Sequence, residues 1–183
     1  MAHITLAITG SIASYKAADL VSSLKKQGHS VSVLMTKAAT DFIQPLTLQV
    51  LSQNLVHLDV MHEPFPDQVN HIQIGKETDL FIVVPATANT IAKLAHGFAD
   101  NMVTATALAL PHFVPKLLAP AMNTKMYDHP ATQANLKTLE DYGYTIISPK
   151  DSLLACGDTG RGALADLETI LQEIKDKIHE QTL

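Results

Sequence analysis

The residues able to do chemistry stand just beyond apolar runs. Ala119-Pro120-Ala121-Met122-Asn123-Thr124-Lys125-Met126-Tyr127 follows the strand-like run Val114 to Leu118, and ligands of open α/β sheets bind at such strand ends. Pro120 stops ladder pairing, which predicts that Asn123 sits in an irregular loop with its amide free to address a small anionic or polar ligand. A solvated loop asparagine is the plain alternative. Near the start, Gly10-Ser11-Ile12-Ala13-Ser14 offers a glycine for a tight turn, a hydroxyl, and backbone N–H groups opening a helix. Together these suit one phosphate monoester, and Thr36 at the next strand end could serve the same mononucleotide. Ser11 would work equally well as a plain helix N-cap. The three-glycine dinucleotide pattern is missing, as is an acidic residue placed to hold an adenosine ribose, which disfavours NAD.

Pro85-Ala86-Thr87-Ala88-Asn89-Thr90 combines small residues, permitting close approach of a planar ring, with Asn89 and Thr90 to bond its edge. The same two residues also read as helix caps, and Asp100-Asn101 carries the same ambiguity. Hydroxyl and amide groups at three strand ends describe a cofactor bed more than a hydrolase site. The single cysteine, Cys156, excludes an internal disulfide and a multi-cysteine zinc site. It is either a small buried apolar side chain or a working thiol. Gly157, Gly160 and Gly162 favour a segment that can fold over a ligand.

The elements that must position these groups alternate. Strands are predicted at Ile4 to Thr9, Ser30 to Met35, Leu80 to Val84 (stopped by Pro85), Val114 to Leu118 and Tyr144 to Ile147. Helices are predicted at Ala13 to Gln27 (ended by Gly28), Asp41 to Leu51 (broken near Pro45), Val69 to Gly75, Thr90 to Gly97, Met102 to Leu110, Thr132 to Tyr142 and Asp166 to His179. The stretch from His57 to Gln68, with Pro64 and Pro66, is turn-rich. This order predicts an α/β fold, a Rossmann-like doubly wound parallel sheet in a single domain over residues 1–183. Two long connections, Val56 to Val69 and Ser148 to Ala165, read as lids or binding loops.

Composition narrows the classes. The chain has 183 residues, 46% hydrophobic and 17% charged, with net charge -5 and nine scattered histidines. It offers no basic stripe for nucleic acid and no run of spanning length for a membrane. With no leader pattern at Met1-Ala2-His3-Ile4, a cytoplasmic location is expected.

Taken as an ordered set, Gly10-Ser11-Ile12-Ala13, Pro85 to Thr90, Asp100-Asn101, Pro120 to Met126 and Ala155-Cys156-Gly157-Asp158-Thr159-Gly160-Arg161-Gly162 resemble the homo-oligomeric flavin-dependent cysteine decarboxylases. The resemblance is closest to the branch acting on phosphopantothenoylcysteine in coenzyme A biosynthesis. It implies FMN held by Gly10, Ser11, Ile12, Thr36, Ala38, Thr87, Ala88, Asn89 and Thr90, with Ala121 beside the ring, and no metal. It also implies His71 as catalytic base, Asn123 holding the substrate carboxylate, and Cys156 as the acid that protonates an enethiolate. Met126 and Ala155 are implied as further substrate contacts, Lys76 as a holder of substrate phosphate, and about 148–165 as a substrate clamp. Leu164 and Tyr127 replace the Met and Trp often found in these motifs.

The implied reaction turns 4'-phosphopantothenoyl-L-cysteine into 4'-phosphopantetheine. FMN oxidises the thiol-bearing carbon to a thioaldehyde, carbon dioxide leaves, and reduced FMN returns the electrons to the enethiol. The family further implies a homotrimer or dodecamer with sites shared between subunits, and a separate phosphopantothenoylcysteine synthetase. Competing readings are a peptidyl-cysteine decarboxylase, which would share the same FMN and His/Asn/Cys groups, and a non-enzymatic flavin-binding regulatory subunit. A flavin prenyltransferase would have no use for Cys156 in a clamp.

Overall fold

Strand β1, His3–Ile8, is the middle of the molecule because every second residue faces a different apolar layer. Ile4, Leu6 and Ile8 pack on one side with Val31, Val33, Ile82 and Leu117. Ala7 packs on the other with Leu34, Phe81, Val83 and Leu118. Strands apolar on both faces are what a parallel sheet covered by helices demands. The structure, a computed structural model, describes residues 1–63, 66–155 and 157–180.

The other strands of the main sheet are β2 (Ser30–Met35), β3 (Val56–His57), β4 (Leu80–Ala86), β5 (Lys116–Pro120) and β6 (Tyr144–Ile146). They lie in the order β3-β2-β1-β4-β5-β6, all parallel. The chain runs outward from β1 to β3, then returns to add β4 against the other edge of β1. That reversal opens a crevice beyond the carboxyl ends of β1 and β4.

One face is covered by α1 (Lys16–Lys26), α2 (Pro45–Ser52) and α8 (Leu167–Glu180), whose buried Leu20, Leu48 and Ile170 join the Ile4 layer. The other carries α3 (Asn70–Glu77), α4 (Ala88–Ala95), α5 (Met102–Ala109) and α7 (Pro130–Asp141). Their Ile74, Ile91, Met102 and Leu136 join the Phe81 layer. Helix α1 follows from Ala17, Leu20, Val21 and Leu24 recurring on one side, with Lys25 and Lys26 in its last turn and Gly28 at φ 86° just beyond its end.

The expected fold class is the observed one, with local corrections. Pro85 does not stop its strand: β4 runs through it to Ala86, which lies opposite Pro120 after a register shift. That irregularity is where a proline without an N–H can sit inside a sheet. Pro45 starts α2 instead of breaking a helix, since its missing N–H is not needed at a first turn. Thr87 caps α4 by accepting from Thr90 N at 3.4 Å, so neither Asn89 nor Thr90 is the cap. Strand β5 begins two residues later than expected, and the first helix opens with a 3-10 turn at Ile12–Tyr15. Of the two long connections, the first contributes edge strand β3 and includes Pro64, which lies outside the described residues. The second folds into an antiparallel hairpin of β7 (Lys150–Leu153) and β8 (Thr159–Ala163). Among the described residues, no helix is long and apolar enough to cross a membrane, and no cluster of three or more His, Cys, Asp or Glu is placed to hold a metal.

Candidate active site

The crevice at the carboxyl ends of β1 and β4 is fastened from inside. Buried Thr9 donates its hydroxyl to Pro85 O at 2.7 Å and accepts from Thr87 N at 3.0 Å. Beyond it lies a cavity of about 530 Å³ lined by Gly10, Ser11, Thr36, Ala38, Thr87, Ala88, Asn89, Thr90 and Ala121. These are nine of the ten expected cofactor residues. Small side chains make the cavity wide, and Gly10 makes it possible: a Cβ there would fall 2.6 Å from that of Ala38. Ser11 caps the 3-10 turn, its Oγ accepting from Ala13 N at 3.3 Å. The cap reading of Ser11 is therefore realised within a residue that also lines the cavity.

Two helix beginnings meet on this cavity. Thr87 caps α4, and Asn101 Oδ1 accepts from Val103 N at 3.0 Å and Thr104 N at 3.2 Å to cap α5. Lys93 and Asp100 pair across its rim, and the Lys93 ammonium holds the Asp100 carboxyl below the usual carboxylate range. Thr36 Oγ1 is buried with no hydrogen-bond partner among the described residues. An orphaned hydroxyl costs free energy unless a ligand satisfies it. With the close approach at Gly10 and a volume in the range of cofactor pockets, the residues present fit FMN.

A second cavity, about 450 Å³, adjoins the first and shares Ser11, Ala121 and Met122 with it. It runs beneath the β7–β8 hairpin and is lined by Ile12, Asn123 and Ala155 among the expected residues. Ile12, expected with the cofactor, lines this cavity and not the first, while Met126, expected with the substrate, lines the first. The hairpin lies flush because Met122 N donates to Gly162 O at 2.9 Å, where a Cβ on Gly162 would fall 2.2 Å from Met122 O.

Asn123 departs from expectation in one respect. Its amide is not left free: Oδ1 accepts from Lys125 N at 2.8 Å as the cap of short helix α6 (Thr124–Tyr127), and Nδ2 donates to Asp158 Oδ2 at 2.9 Å. A helix beginning at Thr124 needs a capping acceptor, and Asn is well suited to it.

His71 and Lys76 line neither cavity. His71 is half-buried in the first turn of α3, its Nδ1 buried without a hydrogen-bond partner among the described residues. Lys76 is exposed in the last turn of α3. Cys156 lies outside the described residues. The sequence reading missed Lys16 and Lys150 in the second cavity and Lys93 in the first. Lys93 could have been found from spacing, since it stands one helical turn after Thr90.

Residues 1–179 match the flavoprotein family. The chain is 61% identical over 175 residues to a probable phosphopantothenoylcysteine decarboxylase of Streptococcus mutans serotype c, covering 96% of this chain and 98% of that one. It is 44% identical to the coenzyme A biosynthesis bifunctional protein CoaBC of Bacillus subtilis over 98% of this chain, but spans 44% of that longer relative. Among solved structures, a PPC decarboxylase mutant complexed with pantothenoylaminoethenethiol matches with TM-score 0.87 at 31% identity, covering 95% of this chain and 96% of the other. The FMN binding protein AtHal3 matches with TM-score 0.83 at 31% identity, covering 95% of each. By its sequence and by the cavity at its β1/β4 crevice, the chain is a member of the flavoprotein family.

Proposed function

We propose that this protein is an FMN-dependent carboxy-lyase that converts 4'-phosphopantothenoyl-L-cysteine to 4'-phosphopantetheine for coenzyme A biosynthesis. One observation carries the reading: a cavity fitted to a flavin adjoins, across Ser11, Ala121 and Met122, a second cavity holding the Asn123 amide. The S. mutans and solved relatives support the same substrate class. FMN, when bound, supplies the two-electron oxidation and re-reduction that a simple cysteinyl carboxylate needs before it can lose carbon dioxide.

The chain's own residues bind, orient and move protons. Asn123 Nδ2 donates to the substrate carboxylate and fixes it beside the first cavity. Lys16 lines the second cavity with a cation for an anionic substrate, and Lys76 holds phosphate from α3. The hairpin, the core of a clamp at about 148–165, excludes water while the carboxylate leaves. His71 acts as base, and Cys156 donates a proton to the enethiolate.

Because His71 and Lys76 line neither cavity of their own chain, we place both in the site of a neighbouring subunit, in a homotrimer or a dodecamer built from trimers. Exposed Leu46 and Val50, successive on one side of α2, support such an assembly. The substrate comes from a phosphopantothenoylcysteine synthetase, which we place on a separate polypeptide on the pattern of the S. mutans relative, in the cytoplasm.

Incubating FMN-loaded protein separately with phosphopantothenoylcysteine and with a peptide ending in cysteine tests the reading by product mass. Loss of one carbon dioxide from the small thiol alone is expected. Loss from the peptide alone would move the assignment to a peptidyl-cysteine decarboxylase.

A further inference from the structure

Among the described residues, the lining of the second cavity has two lysines, Lys16 and Lys150, and no acidic residue. Yet the amide at its floor already holds a carboxylate. Asn123 is pinned at both ends, with Oδ1 on Lys125 N at 2.8 Å and Nδ2 on Asp158 Oδ2 at 2.9 Å. The two contacts fix which end of the amide is nitrogen, since only the nitrogen can donate to a carboxylate. Asp158 sits at the turn of the hairpin, where Leu154 N donates to Asp158 O at 2.8 Å and Gly157 N donates to Leu154 O at 2.9 Å. Strand β8, which follows it, is seated on the Met122–Thr124 segment, with Gly160 against the Thr124 side chain and Gly162 against the Met122 carbonyl. The hairpin therefore delivers its own carboxylate to the donor that the substrate's carboxylate requires.

We propose that Asp158 is a resident stand-in for the substrate carboxylate, occupying the Asn123 amide in the free protein and yielding it when substrate enters. This rests on the reading of Asn123 as the carboxylate holder. Two carboxylates on one neutral amide repel each other, so the incoming group displaces Asp158 instead of sharing with it. Once the substrate carboxylate has left as neutral carbon dioxide, nothing opposes the return of Asp158. The exchange moves hydrogen bonds only: Asn123 Nδ2 changes acceptor, and no covalent bond is made or broken. Asp158 is thus a positioning residue that sets how strongly the site prefers a carboxylate.

The test is calorimetric binding to FMN-loaded protein of 4'-phosphopantothenoyl-L-serine, which keeps the carboxylate and lacks the oxidisable thiol. Its counterpart without the carboxylate is the control. Asp158→Asn removes the charge and keeps an acceptor, and Asp158→Ser removes the charge with a smaller side chain. Both variants are expected to tighten the serine compound roughly five-fold, the scale of one charge contact in a partly exposed site, and to leave the control unchanged. Equal changes for both ligands, no change, or weaker binding of the serine compound would overturn the exchange. A parent enzyme that binds the serine compound but releases no carbon dioxide from the cysteine substrate would overturn the reaction, and the binding ratio would still decide the role of Asp158.

Discussion

Thr9 is bonded to Pro85 across the mouth of the crevice, its hydroxyl donating to the proline carbonyl oxygen at 2.7 Å. The Thr9 hydroxyl oxygen in turn accepts from Thr87 N at 3.0 Å, so one side chain ties the exit of β1 to the cap of α4. Thr9→Val keeps the shape and removes both bonds, leaving buried polar groups unpaired. The expected cost is about 1–3 kcal/mol in urea unfolding of the FMN-free protein, accompanied by weaker FMN binding because Thr87, which lines the cavity, loses its anchor.

Thr36 separates ligand binding from folding. Its Oγ1 is buried and has no partner among the described residues, so Thr36→Val costs the FMN-free protein no hydrogen bond there. Its unfolding free energy is expected to stay within about 0.5 kcal/mol of the parent. FMN affinity, measured by quenching of flavin fluorescence, is expected to fall roughly ten-fold, as for loss of a bond to a charged acceptor.

Gly162 seats the hairpin. A Cβ at this position, φ 152°, would fall 2.2 Å from Met122 O, and the contact is backbone, which cannot swing away. Gly162→Ala is expected to lift β8 from the Asn123 loop and lower kcat/KM roughly 100-fold, the scale of an ångström of misplacement. FMN affinity should hold, because Gly162 lines only the second cavity.

The central strands were legible because they are apolar on both faces; Ser30 to Met35 needed no correction. What escaped depends on residues far apart in the chain. The segments Lys-Asp-Ser-Leu and Thr-Gly-Arg-Gly-Ala of β7 and β8 have no apolar period, and pair as a hairpin lying along Met122–Thr124. The Asn123 side chain was legible as a polar group at a strand end, but Asp158, 35 residues away, could not be matched to it from spacing. The local rule that proline ends a strand fails at Pro85, where a register shift against β5 lets β4 run on to Ala86.

His57 gives the fold a pH dependence near neutrality. Burial, and then the charge of His62, push its pKa below the ordinary histidine value. The Asn70 amide, a donor, is 2.9 Å from His57 Nδ1, so that nitrogen accepts and the ring is neutral. Below about pH 6.5 the unfolded chain takes up a proton that folded His57 refuses, so stability is at its full value above that pH and falls as pH drops toward the folded pKa. Urea unfolding between pH 5 and 8 should show this loss, and His57→Gln should reduce it, the remainder coming from His29, whose pKa burial also lowers. The Asn70 bond lies at the start of α3 beside His71, so hydrogen exchange there should rise on the acid side in the parent.

If the cavity at the β1/β4 crevice and the Asn123 cavity work as one flavin-dependent decarboxylation site, turnover depends on FMN. The most direct measurement is release of label from phosphopantothenoylcysteine carrying isotope in its cysteinyl carboxyl, using protein loaded with FMN and the same protein stripped of it. A joint site requires labelled carbon dioxide from the loaded protein, with 4'-phosphopantetheine as the other product, and none from the stripped protein until FMN is restored. Release that does not depend on FMN, or loaded protein that leaves the substrate intact, would contradict it.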